Sequence, residues 1–548
     1  MLTFKQFNFL FFFTISFWGT LSSQNVSNDF MDRLPIKSAI ITDYEYKDTI
    51  PSECGLIRLK NGKVVFMTRH EKKMRPFYIR AIETGYWDTR YESNIDYNSV
   101  FSDMASMGAN TAYVMIHWEE IEPSDNCFNF TFTDSIEKYA RNNDIKINWV
   151  LFLHAQYNGV PLPDCTNSWT FHLDDRDSCN YTMQWAKQNG VVYKDIKTLV
   201  EKGGIRPLHV YGHKEIFYRI KRMLRELASH YRNSDTVIGV QLGNEEGFSF
   251  LDESDYNPVT AALYEEWKLK TNKTDYAQFK REAMNWWWRQ FTTAFHEVDP
   301  YKILSTNLDA GQAEAGDEQR MDMTGTSASF YEDGNLDVIG TMLYKQYGYK
   351  AIKGLDKRYD GGRYSYELPI LVPSEIGIGR FNKNEDFNSF VMHTLERAAQ
   401  GFGVYCYGEV RKEHADSLLA RRTLMEMFAN IEQNEDIIFG GLPGPGYVRC
   451  FSEYKKLKIS HLNIDHRETL VMIYVPTLEV ENEMNQTDIG NLKLFLNSKI
   501  DGKYEMKVYK SGRCIQKTAL WLDKNKPVKM IVDDKFDSTP IFIKIKMK

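Results

Sequence analysis

The chain has 548 residues, more than one ordinary domain holds. That length leaves room for a barrel of about 250 or more residues together with an accessory domain. A net charge of −6 and the lack of a Lys/Arg-rich run give no electrostatic basis for binding nucleic acid. The seven cysteines are too few for a disulfide scaffold, and none shows the C-x-x-C spacing of a zinc site.

A signal peptide is predicted at residues 1–23, where Lys5 precedes an apolar run of about a dozen residues. The run is too short for a membrane span, and no later segment has the ~18 continuous apolar residues that a span requires. We therefore expect a secreted or extracytoplasmic protein, lysosomal or periplasmic locations included, with no membrane span after cleavage. An uncleaved anchor is the alternative.

Secretion would permit two covalent modifications. The Asn-x-Ser/Thr sequons are candidate glycan sites: Asn25, Asn129, Asn180, Asn272 and Asn485. An oxidising compartment also allows disulfides, and the candidate pairs are Cys165 with Cys179 and Cys450 with Cys514.

Residues 24–75 are predicted to be a lead-in that contains a β-hairpin. Asn61-Gly62 lies between two arms of alternating apolar residues in 56–66, and this dipeptide is a strong hairpin signal.

From Pro76 to residue 432, strand-like and helix-like segments alternate. Strands are predicted at 77–82, 111–116, 145–153, 237–242, 303–306, 338–343, 370–372 and 403–407, with helices between most of them. A long insertion at 156–204 separates the third and fourth strands, and loops of this length are usually functional or disordered. Eight strands with helical crossovers predict an α/β fold, a (β/α)8 TIM barrel over residues 76–432.

The pattern changes after a Gly- and Pro-rich stretch, and residues 433–446 are predicted to be a linker. Short strand-like segments separated by turns follow it. Residues 447–548 are therefore predicted to be a β-sandwich accessory domain.

Two predicted barrel strands run into a Glu that has a Gly two residues after it. The fourth strand runs into Asn244-Glu245, and the seventh runs into Ser374-Glu375. Active sites of such barrels lie at the carboxyl ends of the strands. Two carboxylates there suit double-displacement glycoside hydrolysis, in which one protonates the leaving oxygen and the other attacks the anomeric carbon. Glu246 is the rival of Glu245, because successive residues of a strand point to opposite sides.

These residues resemble clan A retaining glycoside hydrolases, most closely the β-galactosidases of glycoside hydrolase family 35. The family's fourth-strand signature Gln-Val-Glu-Asn-Glu-Tyr-Gly stands here as Gln-Leu-Gly-Asn-Glu-Glu-Gly at 241–247. Its second-strand signature Trp-Asn-x-His-Glu-Pro stands as Trp-Glu-Glu-Ile-Glu-Pro at 118–123. Similar patterns occur in the related families 42 and 5, and the likeness covers about residues 76–410. Departures at 154–159 and 376–379 leave the sugar specificity open.

The resemblance implies roles for individual residues. Glu245 would be the acid/base, Glu375 the nucleophile, and Asn244 a donor to the sugar 2-hydroxyl. Tyr344, after the sixth strand, resembles the clan tyrosine that hydrogen-bonds the nucleophile. Trp118 either stacks on a sugar face or packs in the core. Further candidates for sugar hydroxyls lie in the expected upper-face loops: Tyr86, Gln156 and Asn158.

The predicted function is a secreted retaining β-glycosidase, β-galactosidase-like, that acts on a β-linked oligosaccharide or polysaccharide. The reaction needs neither a metal nor an organic cofactor. The alternatives are an endo-acting β-glycanase of the same clan, a catalytically inactive, secreted carbohydrate-binding barrel, and a metal-dependent hydrolase on the same fold. The sequence does not indicate an oligomeric state.

Overall fold

The structure is a computed structural model. It describes residues 30–31, 36–85, 95–123, 126–153, 214–244, 247, 258–308, 321–322, 324–326, 329–343, 369–378, 384–412, 417–444, 446–465, 467–477, 489–537 and 539–548.

A small N-terminal sheet closes the bottom of the main domain. Its strands are β1 (Ile41–Asp43), β2 (Cys54–Arg58), β3 (Val64–His70) and β4 (Lys73–Pro76). β2 and β3 pair antiparallel across a turn in which Gly62 has a φ of +89°, a value that favours glycine. Leu56 and Phe66 of this hairpin pack against Ile79, Ile238 and Ile303, at or next to the first residues of three barrel strands.

Ten parallel strand segments make the barrel wall. They are β5 (Ile79–Thr84), β6 (Thr111–His117), β7 (Lys146–Phe152), β8 (Val237–Leu242), β9 (Ile303–Thr306), β10 (Val338–Ile339), β11 (Met342–Leu343), β12 (Ile370–Leu371), β13 (Glu375–Gly377) and β14 (Gly401–Tyr405). The ten segments occupy eight positions around the barrel. β10 and β11 are two parts of the sixth strand, and β12 and β13 are two parts of the seventh, because β10 pairs with β12 and β11 pairs with β13. β14 pairs with both β13 and β5, which closes the ring of eight positions. The predicted (β/α)8 barrel is confirmed.

Helices cover the outside of this barrel. The described helices are α1 (Tyr97–Ser106), α2 (Trp118–Ile121), α3 (Thr131–Asn142), α4 (Lys214–Tyr231), α5 (Pro258–Thr271), α6 (Tyr276–His296), α7 (Phe330–Asp333), α8 (Asn384–Leu395) and α9 (Ser417–Gly440). Their apolar faces join the outward side chains of the strands in one core. In the part of the chain that the structure describes, no helix is long and apolar enough to cross a membrane.

Two antiparallel sheets form the C-terminal domain. Their strands are β15 (Leu442–Pro443), β16 (Val448–Ser452), β17 (Lys458–Asn463), β18 (Glu468–Tyr474), β19 (Ile489–Ser498), β20 (Gly502–Lys510), β21 (Arg513–Leu522), β22 (Val528–Phe536) and β23 (Ile541–Met547). One sheet has the order β15-β17-β18-β23-β20-β21 and the other β16-β19-β22. Buried aliphatic side chains such as Leu494, Val508 and Ile543 fill the space between them. The domain is the predicted sandwich.

The end of α9 differs from the expected linker. The helix continues to Gly440, so residues 433–440 are helical. The reason is burial, since Ile437, Ile438 and Phe439 all lie in apolar contacts. The last carbonyl of α9 then accepts a hydrogen bond from Asn61 Nδ2 at 2.9 Å.

The expected Cys450–Cys514 disulfide is wrong, because both thiols are free. Cys450 is buried on β16, whereas Cys514 is exposed on β21, the edge strand of the opposite sheet. The other candidate pair, Cys165 with Cys179, lies outside the described residues.

Candidate active site

Three polar side chains meet at the carboxyl ends of barrel strands. Asn244 follows β8, Asn307 directly follows β9, and Glu375 begins β13. All three are buried, with exposed fractions of 3%, 0% and 3%. Two of them, Asn244 and Glu375, are predicted site residues, and the structure brings them together through Asn307.

The amide nitrogen of Asn307 makes the connection. Asn307 Nδ2 donates to Asn244 Oδ1 at 2.7 Å and to Glu375 Oε1 at 2.5 Å. A hydrogen bond donated to a carboxylate stabilises its ionised form. The Asn307 donor therefore favours the carboxylate form of Glu375, which is the form that can attack an electrophilic carbon.

The backbone fixes Glu375 from both neighbouring strand positions. On the sixth position, Ser374 N donates to Thr341 O at 3.1 Å and Ser374 Oγ donates to Gly340 O at 2.9 Å. On the eighth position, Gly403 N donates to Pro373 O at 2.7 Å. These bonds span the break that Pro373 makes in strand seven, since proline has no N–H to donate. The carboxylate thus projects from a rigid strand end.

The turn after β8 places Asn244 over the barrel mouth. Gly243 adopts a φ of +72°, which a residue with a Cβ rarely adopts. Its N–H donates to Leu151 O of β7 at 2.9 Å, so the turn is tied to the adjacent strand.

A second carboxylate lies inside the described barrel, on the first strand. Glu83 of β5 is in register with Tyr113 of β6, and both are buried. Burial raises the pKa of Tyr113, and the negative charge of Glu83 raises it further. Tyr113 is therefore a neutral phenol that can donate a hydrogen bond.

Trp118 is not brought to this site. It lies in α2 with 2% of its surface exposed, and its indole Nε1 donates to Glu122 Oε2 at 2.8 Å. Glu122 also accepts from Asn126 N at 2.7 Å and from Arg222. Of the two alternatives for Trp118, the structure agrees with packing, because a buried carboxylate anchors the ring.

Five predicted site residues lie outside the described residues, and their roles stay predictions: Glu245, Tyr344, Tyr86, Gln156 and Asn158. Asn307, in contrast, was missed by sequence reasoning. Its signal was available, since it directly follows an apolar strand, as a site residue of such a barrel does.

Among the side chains that the structure describes, no three His, Cys, Asp or Glu residues are grouped so that they could hold a metal ion.

Comparison with family models gives a match over part of the chain. The model of the β-galactosidases of glycoside hydrolase family 42 matches residues 185–323. No protein in the curated set matches.

Solved structures with a similar fold include three glycoside hydrolases at low identity. The exo-β-1,4-mannosidase Op5Man5 of Opitutaceae bacterium strain TAV5 is 14% identical with a TM-score of 0.40, and the match covers 70% of this chain and 61% of that one. A family 39 glycoside hydrolase of Bacteroides cellulosilyticus WH2 is 11% identical with a TM-score of 0.42, covering 89% and 87%. Endo-glycoceramidase II of Rhodococcus sp. is 12% identical with a TM-score of 0.42, covering 87% and 98%.

The family match overlaps β8 and β9, the strands that carry Asn244 and Asn307. The chain is an enzyme of the glycoside hydrolase type. Two observations support this statement: the family match and the position of Glu375 at the mouth of a (β/α)8 barrel.

Proposed function

We propose that the chain is a retaining β-glycosidase, β-galactosidase-like, with Glu375 as the nucleophile and Glu245 as the acid/base. The observation that carries the proposal is the buried Glu375 carboxylate at the end of strand seven, held by an amide donor and next to Asn244. The family match and the fourth-strand signature support the sugar class. The substrate would be a β-linked oligosaccharide or polysaccharide.

The reaction divides into two displacements. In the first, Glu375 forms an ester bond with the anomeric carbon while Glu245 gives its proton to the departing oxygen. In the second, Glu245 takes a proton from water, and the water oxygen displaces Glu375 and restores its carboxylate. A retaining pair needs carboxylates about 5–5.5 Å apart, and the carboxyl ends of strands four and seven both open onto the barrel mouth. This chain's own side chains supply every proton transfer.

Asn244 would act on the sugar rather than on the reacting bond. Its amide lies beside the nucleophile and can donate to the 2-hydroxyl, a contact that strengthens in the transition state. The carboxyl-end loops would complete the sugar site with Tyr344, Tyr86, Gln156 and Asn158.

Secretion is part of the proposal. Residues 1–23 would be removed on export, and Asn129 and Asn272 are exposed sequon positions at which glycans would fit. N-terminal sequencing of protein secreted from a eukaryotic host, before and after deglycosylation, tests both points.

The deciding experiment is a panel of aryl β-glycosides and β-linked polysaccharides, followed by proton NMR of the first-formed product. We expect hydrolysis with an initial β-anomer that survives exhaustive chelation. An initial α-anomer would show inversion and would overturn the assignment. Glu375→Gln should abolish turnover with the fold intact, whereas Glu245→Gln should keep more activity on substrates with good leaving groups. An active Glu375→Gln variant would exclude Glu375 as the nucleophile.

A further inference from the structure

Asn307 connects strand positions that do not neighbour one another in the barrel. β9, which it follows, pairs with β8, but the sixth position separates β9 from the seventh. Its amide nevertheless reaches both Asn244 and Glu375. The Asn307 side chain therefore extends across the barrel mouth and links residues of the fourth and seventh strand positions.

The chemistry of the three groups fixes their orientation. An ionised Glu375 can only accept, so Asn307 must present Nδ2 to it. The same Nδ2 faces Asn244, which must then present its carbonyl oxygen Oδ1. The Asn244 Nδ2 group then points away from Asn307 and is oriented to donate a hydrogen bond elsewhere. A flipped Asn244 would set two NH2 groups against each other.

We propose that Asn307 is the positioning residue of this site: one amide both holds the nucleophile Glu375 and orients Asn244 toward the sugar 2-hydroxyl. The inference rests on the proposed function and deepens it. A fully buried amide costs free energy unless it is hydrogen-bonded, and these two bonds occupy the Nδ2 donor group of Asn307. In this scheme Asn307 contacts the carboxylate of the nucleophile, but neither the anomeric carbon nor the departing oxygen.

The preceding residue provides a matched control. Thr306 is equally buried, and its Oγ1 donates to Leu242 O at 2.7 Å, which ties β9 to β8. That bond reaches neither Asn244 nor Glu375. Thr306→Val therefore removes a structural hydrogen bond from the same strand end and leaves the proposed positioning network in place.

The pH dependence of kcat/KM distinguishes a positioning role of Asn307 from a role in stability alone. The donor from Asn307 favours ionised Glu375, so its loss should move the acidic limb of kcat/KM to higher pH, by about one unit. The titratable groups of the described barrel interior include Glu83, Tyr113, Tyr405 and Cys406, and the substitution leaves each of them in place.

The test compares Asn307→Ala, Asn307→Asp and Thr306→Val on a glycoside and on its 2-deoxy analogue. Asn307→Asp keeps the shape if the alanine variant fails to fold. We expect a loss in kcat/KM of about 100-fold or more for the Asn307 variants, the scale of one lost preorganised donor. The loss should be smaller on the 2-deoxy analogue, which lacks the hydroxyl that Asn244 binds. Thr306→Val should lower the melting temperature without moving the acidic limb.

Two outcomes overturn the inference. One is an unmoved acidic limb in both Asn307 variants, and the other is an equal loss on both substrates. If the wild-type protein hydrolyses no glycoside, the proposed function fails on its own. The positioning of Glu375 is then read by carbon-13 NMR titration of its carboxyl group, assigned with Glu375→Gln. A titration midpoint that does not rise in Asn307→Ala overturns the inference there as well.

Discussion

Lys63 and Gly441 stand 378 positions apart in the chain, yet Lys63 Nζ donates a hydrogen bond to Gly441 O at 3.0 Å. The same nitrogen donates to Ile438 O at 3.2 Å. A hairpin that closes the bottom of the barrel thereby caps the carbonyl end of α9. Burial lowers the pKa of Lys63 to about 7.

The first prediction follows from that buried amine. An unfolded lysine titrates near 10.4, so between about pH 7 and pH 10 the unfolded chain binds the extra proton. The free energy of unfolding of the wild type, relative to Lys63→Met, should therefore rise with pH by about 1.4 kcal/mol per unit in this window. Urea unfolding of both proteins at pH 7, 8 and 9 measures it.

Lys60 provides the control for this titration, because it lies near the same hairpin turn with 76% of its side chain exposed. Lys60→Met should change the free energy of unfolding by no more than about 0.5 kcal/mol at each of these pH values, because Lys60 is exposed. A constant difference for Lys63→Met would contradict a neutral buried amine.

The second prediction concerns the contact between barrel and sandwich at Glu396. Its carboxylate accepts from five side chains: His393, Arg397, Lys458, Ser460 and Tyr474. Burial by itself would raise the pKa of Glu396, but the hydrogen bond and charge of His393, with the nearby cations, outweigh it and hold the pKa well below its usual range.

Glu396→Gln should therefore cost about 3–5 kcal/mol at neutral pH, the scale for breaking a buried pair. The depressed pKa stabilises the fold above the unfolded value near 4.3, and this stabilisation is lost as the pH falls below it. The gap between wild type and variant should accordingly narrow below about pH 4.5. Glu426→Gln, which breaks the exposed pair with Arg422, is the control and should change little. A Glu396→Gln variant as stable as this control would show that the cluster contributes nothing.

The third prediction separates packing from sugar binding at Trp118. Trp118→Phe removes the donor to Glu122 while keeping most of the ring. We expect a stability loss of about 1.5–3 kcal/mol, the range for a hydrogen bond to a charged group, and an unchanged KM. Thermal unfolding and steady-state kinetics on the same sample measure the two effects. A raised KM at unchanged stability would restore the stacking role.

The fourth prediction concerns Gly403, which faces the peptide before Glu375. A Cβ at this position would lie 2.2 Å from Ser374 O and 3.1 Å from Tyr113 Cε2. Gly403→Ala must therefore shift strand eight away from strand seven, at a cost of about 1–3 kcal/mol, and displace the nucleophile. Both the melting temperature and kcat should fall. Gly440→Ala is the control, because its Cβ would meet nothing closer than 3.9 Å. Unaltered kcat in Gly403→Ala would show that the site tolerates movement of Glu375.

The barrel and the sandwich could be predicted because their signals are local. Apolar runs at the fourth and seventh strands, followed by Asn-Glu and Ser-Glu, locate strand ends without any knowledge of contacts. The role of Asn307 could not be predicted, since it depends on the register of β9 relative to β13. Nothing within a single strand encodes which strand ends meet.

The environment of Trp118 likewise depends on contacts that the local sequence does not reveal. The sequence leaves stacking and packing equally open. The structure favours packing because Trp118 is buried and donates to Glu122, and Glu122 is itself held by Arg222, 100 positions away from it. The extra turns of α9 escaped prediction because Gly and Pro after Phe439 dominate the composition of that stretch. The Gly and Pro residues do not shorten the helix before Gly440, because buried apolar side chains stabilise its last turns.

The helix α9 serves two domains at once. On the barrel side Phe428 packs against Phe402, with ring centroids 5.5 Å apart. On the sandwich side Asn430 Oδ1 accepts from Gly512 N at 2.8 Å, and Asp436 pairs with Lys544. A truncation before residue 447 would strip partners from a helix that the barrel also needs. The sandwich therefore cannot be exchanged between enzymes as an independent domain without redesign of the shared helix. For the same reason, the two domains should unfold in a single thermal transition.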